Sequence, residues 1–446
     1  MANTSQLSAA ATAFAFLAIV STSLANAPLV FIWLALARKA ESERNARRMR
    51  DVGVLGLQAS PHGNLGREII DRKGNMVRDR SKAMEQLQSH GPKAFLRRFK
   101  MTRPMFDDIV EKIRPLVEAG EFGKEQARRS SGSHVPAELQ LAASLRWLAG
   151  AHHLCQQDNF SLSQTEFYGA LWDVMWALDN VLPAPVFDIT DAGQMRALSD
   201  GMFVRSGGKM PGCVGALDGM AVRITRPTLK DTASPQSYFN RKGFYSINLQ
   251  ALADHNRKIM WWNIMTVGTT HDNLAWALTP LAQDLAIMGL PFGLWIAGDD
   301  AYPSSEYLLS PYSIQASRAD KFKDNFNFYQ SRCRINVECA FGMLVEKFGV
   351  LRRSQSARLK HTTKVISVCI KIHNLGVDNG VYRVAPMARD LRAHASMLPV
   401  RQDVVSLKPK HLKSRVKSTL RDEICDVLKA QGFARPVANR KRFRAD

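Results

Sequence analysis

The stretch "GCVGALDGMAVRI", residues 212–224, is short, apolar and bounded by glycine and arginine, and it carries one acid, Asp218, in its middle. A run of this length, followed by a turn-rich segment, reads as a buried strand rather than a helix. Three more runs of the same kind follow it: "YSINLQALAD", "KIMWWNIMTVG" and "FGLWIAGDDAY". Helical periodicity then returns in "SRCRINVECAFGMLVEKFGVL" and "HTTKVISVCIKIHNLGV", so the segment mixes strands with helices and belongs to the α/β class.

Upstream of this sheet the pattern is helical. "MTRPMFDDIVEKIRPLVEAG" opens with Thr102 as N-cap and closes at Gly120, and Pro115 is expected to kink or interrupt its last turn. A second helix is expected in "PAELQLAASLRWLAGAHH", then a polar break, "CQQDNFSLSQTE", then a third helix in "FYGALWDVMWALDNVL". Helix, turn and Ser-capped helix is helix-turn-helix-like, although packing explains Gln164 to Leu178 as well as DNA reading does. The expected organisation is a leader and basic stretch over 1–50, a linker over 51–90, an all-helical region over 91–205, a mixed-sheet domain over 206–380 and a basic tail over 381–446.

Of the 446 residues, 61 are Lys or Arg and 40 are Asp or Glu, a net charge of +21 that suits a polyanionic partner, above all nucleic acid. The 46% hydrophobic and 23% charged composition excludes collagen-like, disulfide-scaffold and wholly disordered chains. The six cysteines show no C-x-x-C pair and no zinc-type spacing, which points to a reduced protein with cysteines filling its core. Residues 7–37 carry no charge and precede "RKAESERNARRMR", so a membrane anchor stands as the alternative to a nuclear location. The basic "LKPKHLKSRVK" and "NRKRFR" of the tail read as a solvated arm, a nucleic-acid contact or a nuclear-import signal.

Three acids sit where acids are costly: Asp218 inside a strand, Asp299 just past the apolar "FGLWIAG", and Glu338 between Val337 and Cys339 on an apolar helix. Each has an ordinary explanation by itself, such as a turn cap, or an ion pair with Arg334 one helical turn from Glu338. If they converge through the fold, their repulsion calls for a cation, and oxygen ligands select Mg²⁺ or Mn²⁺. Two such ions about 4 Å apart suit phosphodiester cleavage.

Six blocks, "GCVGALDGMAVRI", "FNRKGFYSINLQALAD", "TVGTTHDNLAW", "AGDDAYP", "FNFYQSRCRINVECAFGMLVEKFGVLRR" and "IKIHNLG", resemble in that order the PIF/Harbinger class of DDE transposases and Harbinger-derived nuclease-like proteins. The resemblance spans Met101 to Gly376 and implies an RNase H-like catalytic domain behind a helix-turn-helix-type region. It matches Asp218 to the acid of the "DG" block, Asp299 to that of "GD-x-x-Y" and Glu338 to that of "R-x-x-x-E-x-x-F-G". Its blocks also include Asp272, Arg334, Asn240 and Lys242, with Tyr238 and Gly243 in the same loop as the last two, as supporting or DNA-contacting residues. A loop cap explains Asp272, and surface-loop chemistry the loop cluster, about as well; His373 and Asn374, in a late helix, read as structural. "DGM" lacks the Thr or Lys and the His that often follow this "DG", so contacts beside Asp218 are expected to differ from the family's.

Together these readings predict a DNA transposase or metal-dependent endonuclease, using two Mg²⁺ or Mn²⁺ ions on element terminal repeats and a target site. The resemblance adds a Myb-like DNA-binding partner and a homo-oligomer. The rivals are a catalytically silent DNA-binding protein of the same fold, a membrane-tethered protein and another metallohydrolase.

Overall fold

The computed structural model describes residues 68–70, 76–78, 80–127, 134–354, 357–381 and 419–436. The chain divides at Leu65/Gly66, and every described residue belongs to the unit that starts at Gly66. The uncharged run 7–37 lies outside the described residues. Among those described, no helix is long and apolar enough to cross a membrane.

Two short antiparallel strands, β1 (Glu68–Ile70) and β2 (Met76–Arg78), come first. The helices α1 (Ser81–Ser89), α2 (Pro92–Phe99), α3 (Arg103–Glu118), α4 (Glu121–Ala127), α5 (Ala137–Leu148), α6 (His153–Phe160), α7 (Gln164–Val181) and α8 (Ala192–Arg205) follow. Pro115 does not interrupt α3, which runs on to Glu118. Its ring lies on the exposed side, where water can satisfy the carbonyl that loses its partner. The expected polar break is partly helix, because His152 caps α6 by accepting from the Leu154 amide, and Gln156 and Phe160 turn inward.

Helix α7 starts at a capping box in which the Ser163 hydroxyl accepts from the Glu166 amide and Glu166 accepts from the Ser163 amide. Phe167, Leu171, Val174, Met175 and Leu178 line its buried face. Its Asp179 pairs with Lys364 and Lys371, at 2.8 and 2.9 Å, on α13 (Leu359–Asp378). One face of this helix-turn-helix-like element is therefore occupied by packing.

The sheet comprises β3 (Cys213–Arg223), β4 (Ser246–Ala253), β5 (Ile259–Val267), β6 (Trp295–Ala297) and β7 (Leu308–Leu309), in the order β5-β4-β3-β6-β7. On the β5 side β4 is antiparallel to both β5 and β3, whereas β6 pairs parallel with β3 and β7 parallel with β6. Helices α9 (Asp272–Ala277) and α10 (Pro280–Met288) make the crossover into β6, and α11 (Ile314–Ala319) and α12 (Lys321–Lys347) follow β7. This is the RNase H-like α/β arrangement that the sequence predicts.

Alternation along β3 divides the core in two. Cys213, Ala216 and Val222 face a core shared with Phe326, Cys333 and Val337 of α12 and with the helical region. Val214 and Leu217 face a second core with Trp276, Leu281, Leu285 and Tyr302. Because both faces are covered, the strands read as continuous apolar runs.

The tail departs from a solvated arm over its described part. Helix α14 (Thr419–Ala430) packs on α12, burying Ile424 and Leu428. The Tyr312 hydroxyl donates to Asp422 at 2.5 Å, and Asn325 and Tyr329 of α12 donate to the carbonyls of Phe433 and Ala434 at 3.1 and 2.9 Å. Its amphipathic apolar stripe is what makes this segment dock, beneath a composition that looks merely basic.

Candidate active site

The register of β3 and β6 sets two of the acids level. Ala216 pairs with Ala297 in the parallel ladder, and Asp218 and Asp299 each follow two residues later on adjacent chains. Alternation puts Asp218 on the face of Ala216, towards α12. Its Oδ1 accepts from the Gly219 amide at 2.8 Å, and Asp299 Oδ1 accepts from the Ala301 amide at 3.0 Å.

The helix is held to β6 by Gln330. This fully buried side chain donates from Nε2 to the carbonyls of Gly298 at 2.7 Å and Leu309 at 3.0 Å. Arg334 and Glu338 lie one and two turns further along the same row of α12. They form an ion pair at 2.7 Å. Anchoring Gln330 to the residue just before Asp299 thus brings Arg334 and Glu338 to the aspartates.

Electrostatics bear this grouping out. Burial pushes the Asp218 carboxyl up to about 6, with further upward pressure from Asp299 and Glu338, while the Gly219 amide and Arg334 oppose it. Burial likewise raises Asp299, helped by Asp300 and Asp272 and opposed by the Ala301 amide and Arg334. Arg334 is thus the cation these carboxylates share, and it is already paired to Glu338.

On the opposite face of β3 a polar network supports the strand. Asp272 Oδ1 accepts from Asn248 at 2.9 Å and from Gln250 at 3.1 Å, and the Tyr302 hydroxyl donates to Gln250 Oε1 at 2.7 Å. Burial holds the Tyr302 hydroxyl protonated well beyond its ordinary range, reinforced by Asp272, Asp218 and Asp299. Gly219 is the residue that lets this network approach, since a Cβ there would collide with Asp272 Oδ1 and Gln250 Nε2.

The loop residues sit elsewhere. Asn240 is buried, giving its amide N–H to Ser246 Oγ at 2.8 Å and accepting from the Lys242 amide at 2.9 Å. Its polar groups organise the turn. Lys242 is exposed, as is its neighbour Arg241. His373 Nε2 donates to the Arg257 carbonyl, and Asn374 bonds both backbone groups of Ile259, so both hold α13 to the β5 edge.

Gln330, Gln250, Asn248 and Tyr302 are the site-shaping residues that the sequence reading missed. The one signal for Gln330 was a polar residue inside the apolar stripe of α12, in helical register with Arg334 and Glu338.

The donor chemistry fits a hard divalent cation: crowded carboxylates whose repulsion Arg334, itself paired to Glu338, relieves only in part. Among the described residues, however, no three His, Cys, Asp or Glu side chains close on one metal position. Glu338 is turned to Arg334, so it would have to leave that pair to join Asp218 and Asp299.

Residues 217–374, from β3 through most of α13, match the family of DDE superfamily endonucleases, and this stretch contains Asp218, Asp299 and Glu338. Over these residues the chain is similar to the DDE superfamily endonucleases, which generally use divalent metal ions. Among curated proteins it is similar to "Putative nuclease HARBI1" of Bos taurus, 24% identical over 251 residues, which cover 55% of this chain and 69% of that one. The Mus musculus protein of that name is 25% identical over the same shares, and that of Xenopus laevis is 22% identical over 69% of this chain and 83% of its own. No solved structure matches significantly. Family and relatives support nuclease-like function.

Proposed function

We propose that the protein is a metal-dependent DNA endonuclease acting as a transposase, or as a host-retained derivative of one, with Asp218, Asp299 and Glu338 as its acidic triad. The observation that carries the reading is the level placement of Asp218 and Asp299, each two residues past the Ala216–Ala297 pair of β3 and β6, with Glu338 on the helix that Gln330 ties to Gly298.

Mg²⁺ or Mn²⁺, two ions in this reading, would supply activation of the attacking water and stabilisation of the leaving 3′-oxygen. The chain's own residues supply the rest. Asp218 and Asp299 bind from neighbouring strands, Gln330 fixes the helix against them, and Arg334 holds Glu338 until a cation competes for it. Arg334 would then be free to take a phosphate oxygen through its planar fork. After hydrolysis, the liberated 3′-hydroxyl would give up its proton and attack a phosphodiester of a second DNA, displacing that strand's own 3′-oxygen as the new bond forms. The charge of +21 provides salt-sensitive phosphate affinity. The same reading places the protein in the nucleus, working on element ends as an oligomer with a Myb-like partner.

The closed Arg334–Glu338 pair favours a second reading, a DNA-binding protein that retains the fold without cutting. Calorimetric Mn²⁺ titration of the full chain, with and without DNA, decides between them. Saturable binding weakened by each of Asp218→Asn, Asp299→Asn and Glu338→Gln supports the endonuclease, with Mn²⁺-dependent nicking of plasmid DNA as the second readout. No binding in either condition by the folded chain refutes it.

A further inference from the structure

The connection between β3 and β4 ends in a finger that the catalytic reading does not use. Phe239 and Tyr245 form an isolated antiparallel bridge, with their rings 5.1 Å apart and edge to face. Between them Asn240 to Phe244 close a tight turn in which the Gly243 amide donates to the Asn240 carbonyl at 3.0 Å. Gly243 takes φ +82°, which suits glycine. The finger is anchored below by Thr269, whose amide and hydroxyl both donate to the Ser237 carbonyl.

Its surface alternates rings and cations. The Arg223 guanidinium lies 4.1 Å from the Phe244 ring centroid, and that of Arg226 lies 5.9 Å from Tyr245. Arg241 and Lys242 project from the turn into solvent. Phe239 is 39% exposed; among the described phenylalanines only Phe292, at 51%, is more open. A surface that only neutralised phosphates would need the charges but not an exposed ring. Rings offered beside guanidiniums bind unpaired nucleotides, whose bases stack while the cations follow the backbone.

The geometry points to this finger, residues 238–245 with Arg223 and Arg226, as a binding surface for single-stranded DNA, with Phe239 as the base-stacking platform. The inference rests on the proposal that DNA is the substrate, and it names the state of DNA that is engaged. The same strand carries Asp218, five residues before Arg223. At about 3.3 Å per residue the finger stands ~17 Å along the strand from that acid, the reach of a few unpaired nucleotides.

The test measures binding of the full chain in EDTA, where no cutting occurs, to three probes: a short oligo(dT), an abasic strand of equal length and the corresponding duplex. Fluorescence anisotropy is read at fixed salt. The wild-type chain should bind oligo(dT) about tenfold more tightly than the abasic strand. Phe239→Ala and Phe239→Leu should both lose that preference while duplex affinity holds, and Leu separates loss of the π-face from loss of bulk. Lys242→Ala should weaken all three probes alike. Equal binding of oligo(dT) and the abasic strand overturns the inference, as does an unchanged preference in both Phe239 variants. Thermal unfolding of the variants confirms that they are folded. Mn²⁺ plays no part in this assay, so a failure here is distinct from a failure of the nuclease reading, and Asp218→Asn should retain the oligo(dT) preference.

Discussion

Replacing Asp218 by Asn should stabilise the protein at neutral and alkaline pH when no divalent cation is present. Burial beside Asp299 and Glu338 moves the carboxyl from 3.8 to about 6, so the folded state holds the proton more tightly than the unfolded chain does. Ionising Asp218 therefore costs folding free energy. The penalty is absent below about pH 4, grows between about 4 and 6, and is complete above that. At 1.36 kcal/mol per pH unit the penalty is at most about 3 kcal/mol, and solvent reaching this partly exposed side chain reduces it to about 1–3 kcal/mol. An Asn keeps the acceptor for the Gly219 amide, so the variant should gain that amount at pH 8 and nothing at pH 3.5. Urea unfolding in EDTA at the two pH values measures it. Saturating Mn²⁺ should shrink or reverse the difference, since ligand at about a hundred times its dissociation constant stabilises the wild type by about 2.7 kcal/mol. A variant no more stable than wild type at pH 8, or equally stabilised at both pH values, refutes the account of Asp218 as a carboxylate held against its electrostatic preference.

Other consequences follow from the supports of the site. Gln330→Leu keeps the volume but leaves the Gly298 carbonyl unpaired, so it should cost about 1–3 kcal/mol in chemical denaturation. It should also weaken Mn²⁺ binding, because α12 loses its tie to the residue before Asp299. Gly219→Ala drives a methyl into Asp272 and Gln250 and should destabilise by about 1–3 kcal/mol. Its near-ultraviolet circular dichroism should report displacement of Tyr302, which is bonded to Gln250.

Much of the molecule could be read directly from the residues. The apolar run 212–224 reads as a strand because its first half, through Leu217, is buried on both faces, and local pattern alone carries that information. The candidate acids stood out for a similar reason: a carboxylate is conspicuous wherever its neighbours are apolar. Resemblance in six ordered blocks then tied Asp218, Asp299 and Glu338 together. Helix α6 was harder to foresee, because few of its described side chains pack, chiefly Gln156 and Phe160. The two-residue strand β7 is too short for any periodicity to show. Helix α14 hid in a tail whose net charge masked its apolar stripe.

What the sequence by itself determined was the kind of residue available at each place: apolar strands, an amphipathic helix and acids set among apolar neighbours. Tertiary structure alone decided which of them meet. Parallel pairing of Ala216 with Ala297 brings Asp218 level with Asp299, although long stretches of chain separate them. The bond from Gln330 to Gly298 sets the height of α12, and with it the position of Arg334 and Glu338. Asn240 is the counterexample, a polar loop residue whose side chain the fold turned inward to Ser246. Local propensity comes from each residue's own chemistry, whereas register and helix height are set by pairings between distant segments, and those exist only once the chain has closed on itself.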